Sequence, residues 1–315
     1  MEEFPEIVIE SKKKLYRRKY IFWAVCFVLL VIGVFTVAIF RWEQKPDPAS
    51  EKVIRQIVAK QLNKDPNDLT DEDFTKITEL TNLVYIELLD IKILEKFTNL
   101  QLLNLSNVHY PERAIPKWIK ILSKYGIIDI KKRNALDLSP VKKLSNLQIL
   151  HIEQTPIKNI KPLSKLTSLK RIVFFRIGVS DIEPIKNLTN LEYLQICLIH
   201  VSDIEPIKGL TNLKVLSLKD TIVSDLEPIR GLINLQTLNL NNTQVSELEP
   251  IKGLINLQGL QIANTPINNL EPIKNLKNLK GLYLPKCNNI TDEQIEDLQN
   301  ALPNLRIDGF NKEQK

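Results

Sequence analysis

Residues 201–221 read VSDIEPIKGLTNLKVLSLKDT, and residues 223–243 read VSDLEPIRGLINLQTLNLNNT, nearly the same words 22 positions later. With the Leu of the recurring NL step as position 1, the frame returns at Leu147, Leu169, Leu191, Leu213, Leu235, Leu257 and Leu279. Positions 4 and 6 carry Leu194 and Ile196, Leu216 and Leu218, Leu238 and Leu240, between mostly polar neighbours at 3, 5 and 7. That period-two pattern predicts a short strand in each unit. Position 16 is Pro, inside E-P-I-K, where a fixed φ and a missing donor suit a turn or one 3₁₀ segment. Glu183 and Lys186, Glu205 and Lys208, Glu227 and Arg230, and Glu249 and Lys252 are each three apart, so identical units stack without a column of one sign.

One such unit cannot enclose its own apolar side chains. Stacked copies can, because each covers its neighbour's sheet edge and apolar slot. The strands are then parallel and about 4.8 Å apart on a concave face, with the E-P-I-K path returning on the convex side. Aromatic residues make up only 6% of the 315, which suits uniform Leu and Ile slots.

LxxLxLxxT at a 22-residue period resembles the leucine-rich repeat of internalin-like bacterial surface proteins. The resemblance implies an α/β solenoid with short parallel strands on the concave face and turns or short helices on the convex face. It also implies that position 9, here Thr155, Thr221, Thr243, Thr265 and Cys287, hydrogen-bonds the turn leaving each strand. Ile177 and Ile199 interrupt that ladder, so two adjacent turns need other partners for their backbone groups. Internalin-like proteins often continue into an immunoglobulin-like region and a wall-attachment signal. Neither pattern occurs in this sequence, so the resemblance speaks to fold more than to adhesion.

Upstream the frame loosens. Residues 125–146 fit one more unit, with Ile128 and Ile130 inside and LSPVKKLSN as its turn. Leu100 begins a longer unit with a helix expected after Pro116, and Leu83 begins a short one, LVYIELLD. The repeats are thus expected over 83–304, about ten units. A helical cap is expected over 50–82, with Val53, Ile54, Ile57 and Val58 on one side of a first helix and Thr70 with Asp73 starting a second. At the far end Thr291-x-x-Gln294 forms a capping box ahead of IEDLQNAL, with 305–315 as C-terminal cap and tail.

Residues 21–40, IFWAVCFVLLVIGVFTVAIF, carry no charge, and a helix of that length crosses about 30 Å of hydrocarbon. KKKLYRRK at 12–19 precedes it, and the mixed-sign RWEQKPDP follows. The cationic excess predicts a cytoplasmic N-terminus over 1–20, a transmembrane signal anchor at 21–40, a linker at 41–49 and an extracytoplasmic repeat domain, periplasmic or extracellular. A cleaved signal peptide would have a shorter apolar core and small residues where Phe40, Arg41 and Trp42 stand. A buried soluble helix would show a polar stripe, which is missing.

No catalytic set stands out. His109, His151 and His200 have no Ser or Cys partner in the frame, and no H-E-x-x-H, G-x-S-x-G or P-loop occurs. The expectation is a non-enzymatic chain with no cofactor. Asp181, Asp203, Asp225 and Glu247 share position 13; a solvated polar column is expected there, with a Ca²⁺ column the alternative. The three cysteines form no CxxC pair. The net charge of +6 has its densest run in residues 12–19, which argues for topology rather than nucleic acid.

The remaining candidate is the concave surface, a preformed platform that saves ordering entropy on binding. Thr237, Asn239 and Asn241 make one stretch small and polar. Arg171, Val173, Phe175, Tyr193 and Cys197, flanked by Leu198, make another that is rich in the residue types of binding hot spots. These six residues are the candidate contact patch for a protein or peptide ligand. The competing readings are a packing adjustment around Ile177 and Ile199, or a solenoid that serves as a structural spacer or scaffold subunit in a cell-envelope complex.

Overall fold

The computed structural model describes residues 48–81, 83, 90–108 and 135–310. All belong to the second of two units, which divide between Asp47 and Pro48. The expected anchor at 21–40 lies outside the described residues; among those described, no helix is long and apolar enough to cross a membrane.

Among the described residues, ten short strands form one sheet in chain order, and every neighbouring pair is parallel. They are β1 Glu79–Leu80, β2 Leu102–Asn104, β3 Ile149–Glu153, β4 Arg171–Phe175, β5 Tyr193–Cys197, β6 Val215–Ser217, β7 Thr237–Asn239, β8 Gly259–Gln261, β9 Gly281–Tyr283 and β10 Arg306–Asp308. Leu194, Leu216, Leu238, Leu260 and Leu282 stand opposite one another along β5 to β9. Each is at most 1% exposed. Burying one such side chain stabilises the stack by about 1.5–3 kcal/mol before conformational entropy is counted. On the return path, Glu183–Ile185, Glu205–Ile207, Glu227–Ile229, Glu249–Ile251 and Glu271–Ile273 each make one 3₁₀ segment with Pro near its start, as the E-P-I-K pattern requires.

The upstream units differ from expectation. β2 pairs directly with β3, so no strand from the intervening chain separates them. The Val108 N–H donates to Thr155 Oγ1 at 3.0 Å, and Leu136 bridges Ile157. Val108 and Leu136 therefore occupy positions 9 and 11 of one enlarged unit, and the chain between them is an insertion at the turn leaving β2. The expected unit at 125–146 therefore adds no strand between β2 and β3. Its turn is as expected, a 3₁₀ segment at Ser139–Lys143; Ile128, Ile130 and the expected helix after Pro116 lie outside the described residues. Likewise Leu80 pairs with Leu103, which puts Ile77, not Leu83, at position 1 and brings a strand into the expected helical cap.

The first cap is α1, Pro48–Leu62, whose Ile54 and Val58 are fully buried while Val53 and Ile57 pack at the core's margin. Asn63 takes φ 53° and the Lys64 N–H reaches the Ala59 carbonyl at 3.0 Å, a left-handed helix stop. α2, Asp71–Thr75, starts at the expected Thr70–Asp73 box and drives Phe74 edge-on into Phe97, ring centroids 5.2 Å apart. At the other end α3, Asp292–Ala301, carries the Thr291–Gln294 box. The chain then returns to the sheet as β10, so the stack runs on to Asp308.

Candidate functional site: the concave face and its rim

Three ladders of side-chain hydrogen bonds hold the strands where the surface needs them. At position 9, the Thr221, Thr243 and Thr265 hydroxyls donate to the carbonyls of Leu218, Leu240 and Ile262 at 2.6–2.7 Å. Ile177 and Ile199 are buried instead, at 2% and 4% exposure, and the solenoid continues in register past them. Backbone hydrogen bonds tie their turns to the next unit. The Arg176 N–H donates to the Cys197 carbonyl at 3.0 Å, and the Leu198 N–H to that of Lys219 at 3.2 Å.

At position 13, Asp181, Asp203 and Asp225 each accept the backbone N–H two residues on, at 2.8–2.9 Å, and so cap the 3₁₀ segments. The column is therefore more than solvated surface. Among the described residues, no group of three or more His, Cys, Asp or Glu could hold a metal ion.

The third ladder escaped the sequence reading, although its signal was the N of every NL step. Asn190, Asn212, Asn234, Asn256 and Asn278 each donate from Nδ2 to a carbonyl of the preceding unit at 2.8–2.9 Å. Those bonds link each unit to the next at the entrance to its strand.

Position 8 forms the rim of the concave face, and its backbone is left-handed in unit after unit. Gln154, Arg176, Leu198, Asp220, Asn242, Asn264 and Lys286 all have φ between 49° and 60°. Asn and Asp adopt that region most readily among non-glycine residues. From Asp220 onward the rim is also clipped together, with Asn242 donating to Asp220 at 2.6 Å and Asn264 to Asn242 at 2.9 Å. Arg176 and Leu198 break that row.

The candidate patch occupies β4 and β5. The Arg171 guanidinium lies 3.5 Å from the centroid of the Tyr193 ring, and Tyr193 OH donates to Gln195 Oε1 at 3.0 Å. Arg171 is exposed and Phe175 and Tyr193 are half-buried. Leu198 is 43% exposed, whereas Val173 and Cys197 are 4% and 3% exposed. The last two are thus floor rather than contact residues. Cys197 Sγ sits 3.2 Å from Ser217 Oγ, and burial pushes its thiol up, away from thiolate chemistry. His151 Nε2 lies 2.8 Å from Glu153 Oε1 beside the patch. His200 is exposed on the rim, and His109 lies outside the described residues.

Past β6 the face changes character. Asn241 bonds Gln261 Oε1 and the Ala263 N–H at 3.0 and 2.7 Å, making a closed amide network beside the half-buried Thr237 and Asn239. The fold is a leucine-rich-repeat solenoid. A family model of leucine-rich repeats in two copies matches residues 211–253. Internalin C2 of Listeria monocytogenes aligns with a TM-score of 0.61 and 26% identity over 76% of this chain and 93% of its own. The functional domain of InlJ from the same species, described as including a cysteine ladder, aligns with a TM-score of 0.55 and 12% identity over 76% and 54%. No curated protein sequence matches the chain. Leucine-rich-repeat solenoids of the internalin type generally act as protein-interaction modules.

Proposed function

We propose that this chain is a single-pass membrane protein whose solenoid recognises a protein or peptide ligand on its concave face without catalysing a reaction. The observation that carries the reading is the Arg171–Tyr193 stack at the start of β4 and β5, with Phe175 half-buried at the other end of β4, on a sheet whose strands are paired on both edges. Exposed aromatic and guanidinium groups on a rigid surface lose little entropy when a partner closes over them. Residues 21–40 and the cations before them support an anchor that leaves the solenoid outside the cytoplasm, as expected of a bacterial envelope protein. The polar, self-bonded surface from β7 onward favours a second reading, a spacer in an envelope complex.

The two readings separate in one experiment. Phe175→Ala combined with Tyr193→Ala should abolish ligand capture in intact cells while the circular dichroism spectrum and unfolding temperature stay close to wild type. Capture unaffected by that pair would favour the spacer.

A further inference from the structure

Around the patch, charge and apolar exposure depart from the repeat at the same place. The carboxylates beside β4 and β5 are already engaged. Glu153 Oε1 shares a hydrogen bond with His151 Nε2 at 2.8 Å, and Glu192 forms an ion pair with Lys214 at 2.6 Å, a contact that holds its carboxyl below the usual carboxylate range. The cations are not matched in the same way. Arg171 lies on the Tyr193 ring, the Arg176 side chain has no carboxylate partner among the described residues, and Lys219 is 3.8 Å from Asp220. The matching stretch farther along, Asn241, Asn242, Ala263 and Asn264, is neutral.

Leu198 lies between the units that carry Arg176 and Lys219. It holds φ 53°, a conformation that costs a branched apolar residue more than Asn, and it exposes 43% of its surface. Its N–H bonds the Lys219 carbonyl, so the two residues are neighbours. One unit on, at position 10 of the turn, Ile222 is 41% exposed. Folding gains nothing from Leu at 198, because Asn at position 8 would relax the backbone and could join the side-chain row that begins at Asp220.

We infer that the patch takes an acidic polypeptide segment whose carboxylates meet Arg171, Arg176 and Lys219 while an apolar side chain covers Leu198 and Ile222. This rests on the concave-face reading and specifies its ligand. Charge complementarity selects the sign, and the exposed rim selects an amphipathic chain over a purely anionic one. A flat anionic bilayer fits less well, since Phe175 and Tyr193 sit half-buried on the inner curve.

The test uses the full chain in detergent micelles and three labelled twelve-residue peptides with Leu and Phe at the same places: one rich in Glu, one with Gln for each Glu, and one with Lys for each Glu. Fluorescence anisotropy should show the Glu peptide binding at least tenfold tighter than the Gln peptide, and the Lys peptide not at all. Arg176→Glu with Lys219→Glu should lower the Glu-peptide affinity at least tenfold, while the convex control Lys252→Glu leaves it within twofold. Leu198→Asn should weaken binding several-fold without lowering the unfolding temperature, which separates a contact role from a folding role. Equal binding of the Glu and Gln peptides, or equal effects of the rim and convex reversals, would overturn the inference. So would binding to vesicles of 30% phosphatidylglycerol that is lost in the rim variant while the Glu peptide stays unbound. If Phe175→Ala with Tyr193→Ala abolishes cellular capture but the rim reversal does not, the inference fails and concave recognition stands. If neither variant affects capture, both fail.

Discussion

Replacing Thr243 by Val tests how the position-9 ladder contributes to stability. The side chain is 5% exposed, and its Oγ1 donates to the Leu240 carbonyl at 2.7 Å. Valine has nearly the same shape, so no cavity opens and the change removes one hydroxyl from a closed environment. The carbonyl is not orphaned, because the Thr243 N–H still reaches it at 3.2 Å. The expected loss is therefore about 1 kcal/mol, the net worth of one hydrogen bond, rather than the roughly 3 kcal/mol of a buried acceptor left bare. Ile199, buried at the same position, supports the lower figure, since the stack stays in register around an apolar side chain there. Urea unfolding of wild type and variant, followed by far-ultraviolet circular dichroism, reads the difference at unchanged slope. A loss near 3 kcal/mol would mean that the hydroxyl is that carbonyl's main donor, and no loss at all would mean that the ladder contributes nothing.

Further outcomes follow from other parts of the stack. Leu216→Ala removes a fully buried side chain from the middle of the shared Leu column and should cost about 3 kcal/mol by urea unfolding. Glu247 makes no 3₁₀ cap where Asp203 and Asp225 do, so Glu247→Asp should supply one and stabilise by about 0.5 kcal/mol. Asp73 is held below the usual carboxylate range, first by the Lys64 ammonium at 2.8 Å and then by the Thr70 N–H. Its folded value lies below the unfolded 3.8, so its contribution is complete above that pH and is lost as pH falls further. The stability gap between wild type and Asp73→Asn should therefore narrow as pH drops below 3.8 and stay constant above pH 5 or so.

The regular half of the solenoid was legible because every level of the sequence agreed. Leu at 1 and 20, Leu or Ile at 4 and Pro at 16 repeat in phase from Leu147, with Thr at 9 in four of the units, and each has one place to go. The upstream region was not, for a physical reason. Alternation at Ile128 and Ile130 reads as one more strand of the sheet, and only the pairing of Leu103 with Leu150 shows that none stands between β2 and β3. Ile77 was missed because it stands in for the consensus Leu, whereas Leu83 offered the expected letter six residues too late. The candidate patch was readable as a set of residue types on one face. That Val173 and Cys197 would be buried depends on neighbours in adjacent strands. The roles of Arg176 and Lys219 depend on which carboxylates are already paired, which no spacing announces.

Whether this surface does the molecule's work is best decided by a photo-reactive side chain placed in the full chain in its own cells, at position 175 in one strain and at 252 on the opposite side in another. Recognition by the inner curve predicts one defined adduct from position 175 and none from 252. The same adducts from both, or an adduct from 252 alone, would contradict it.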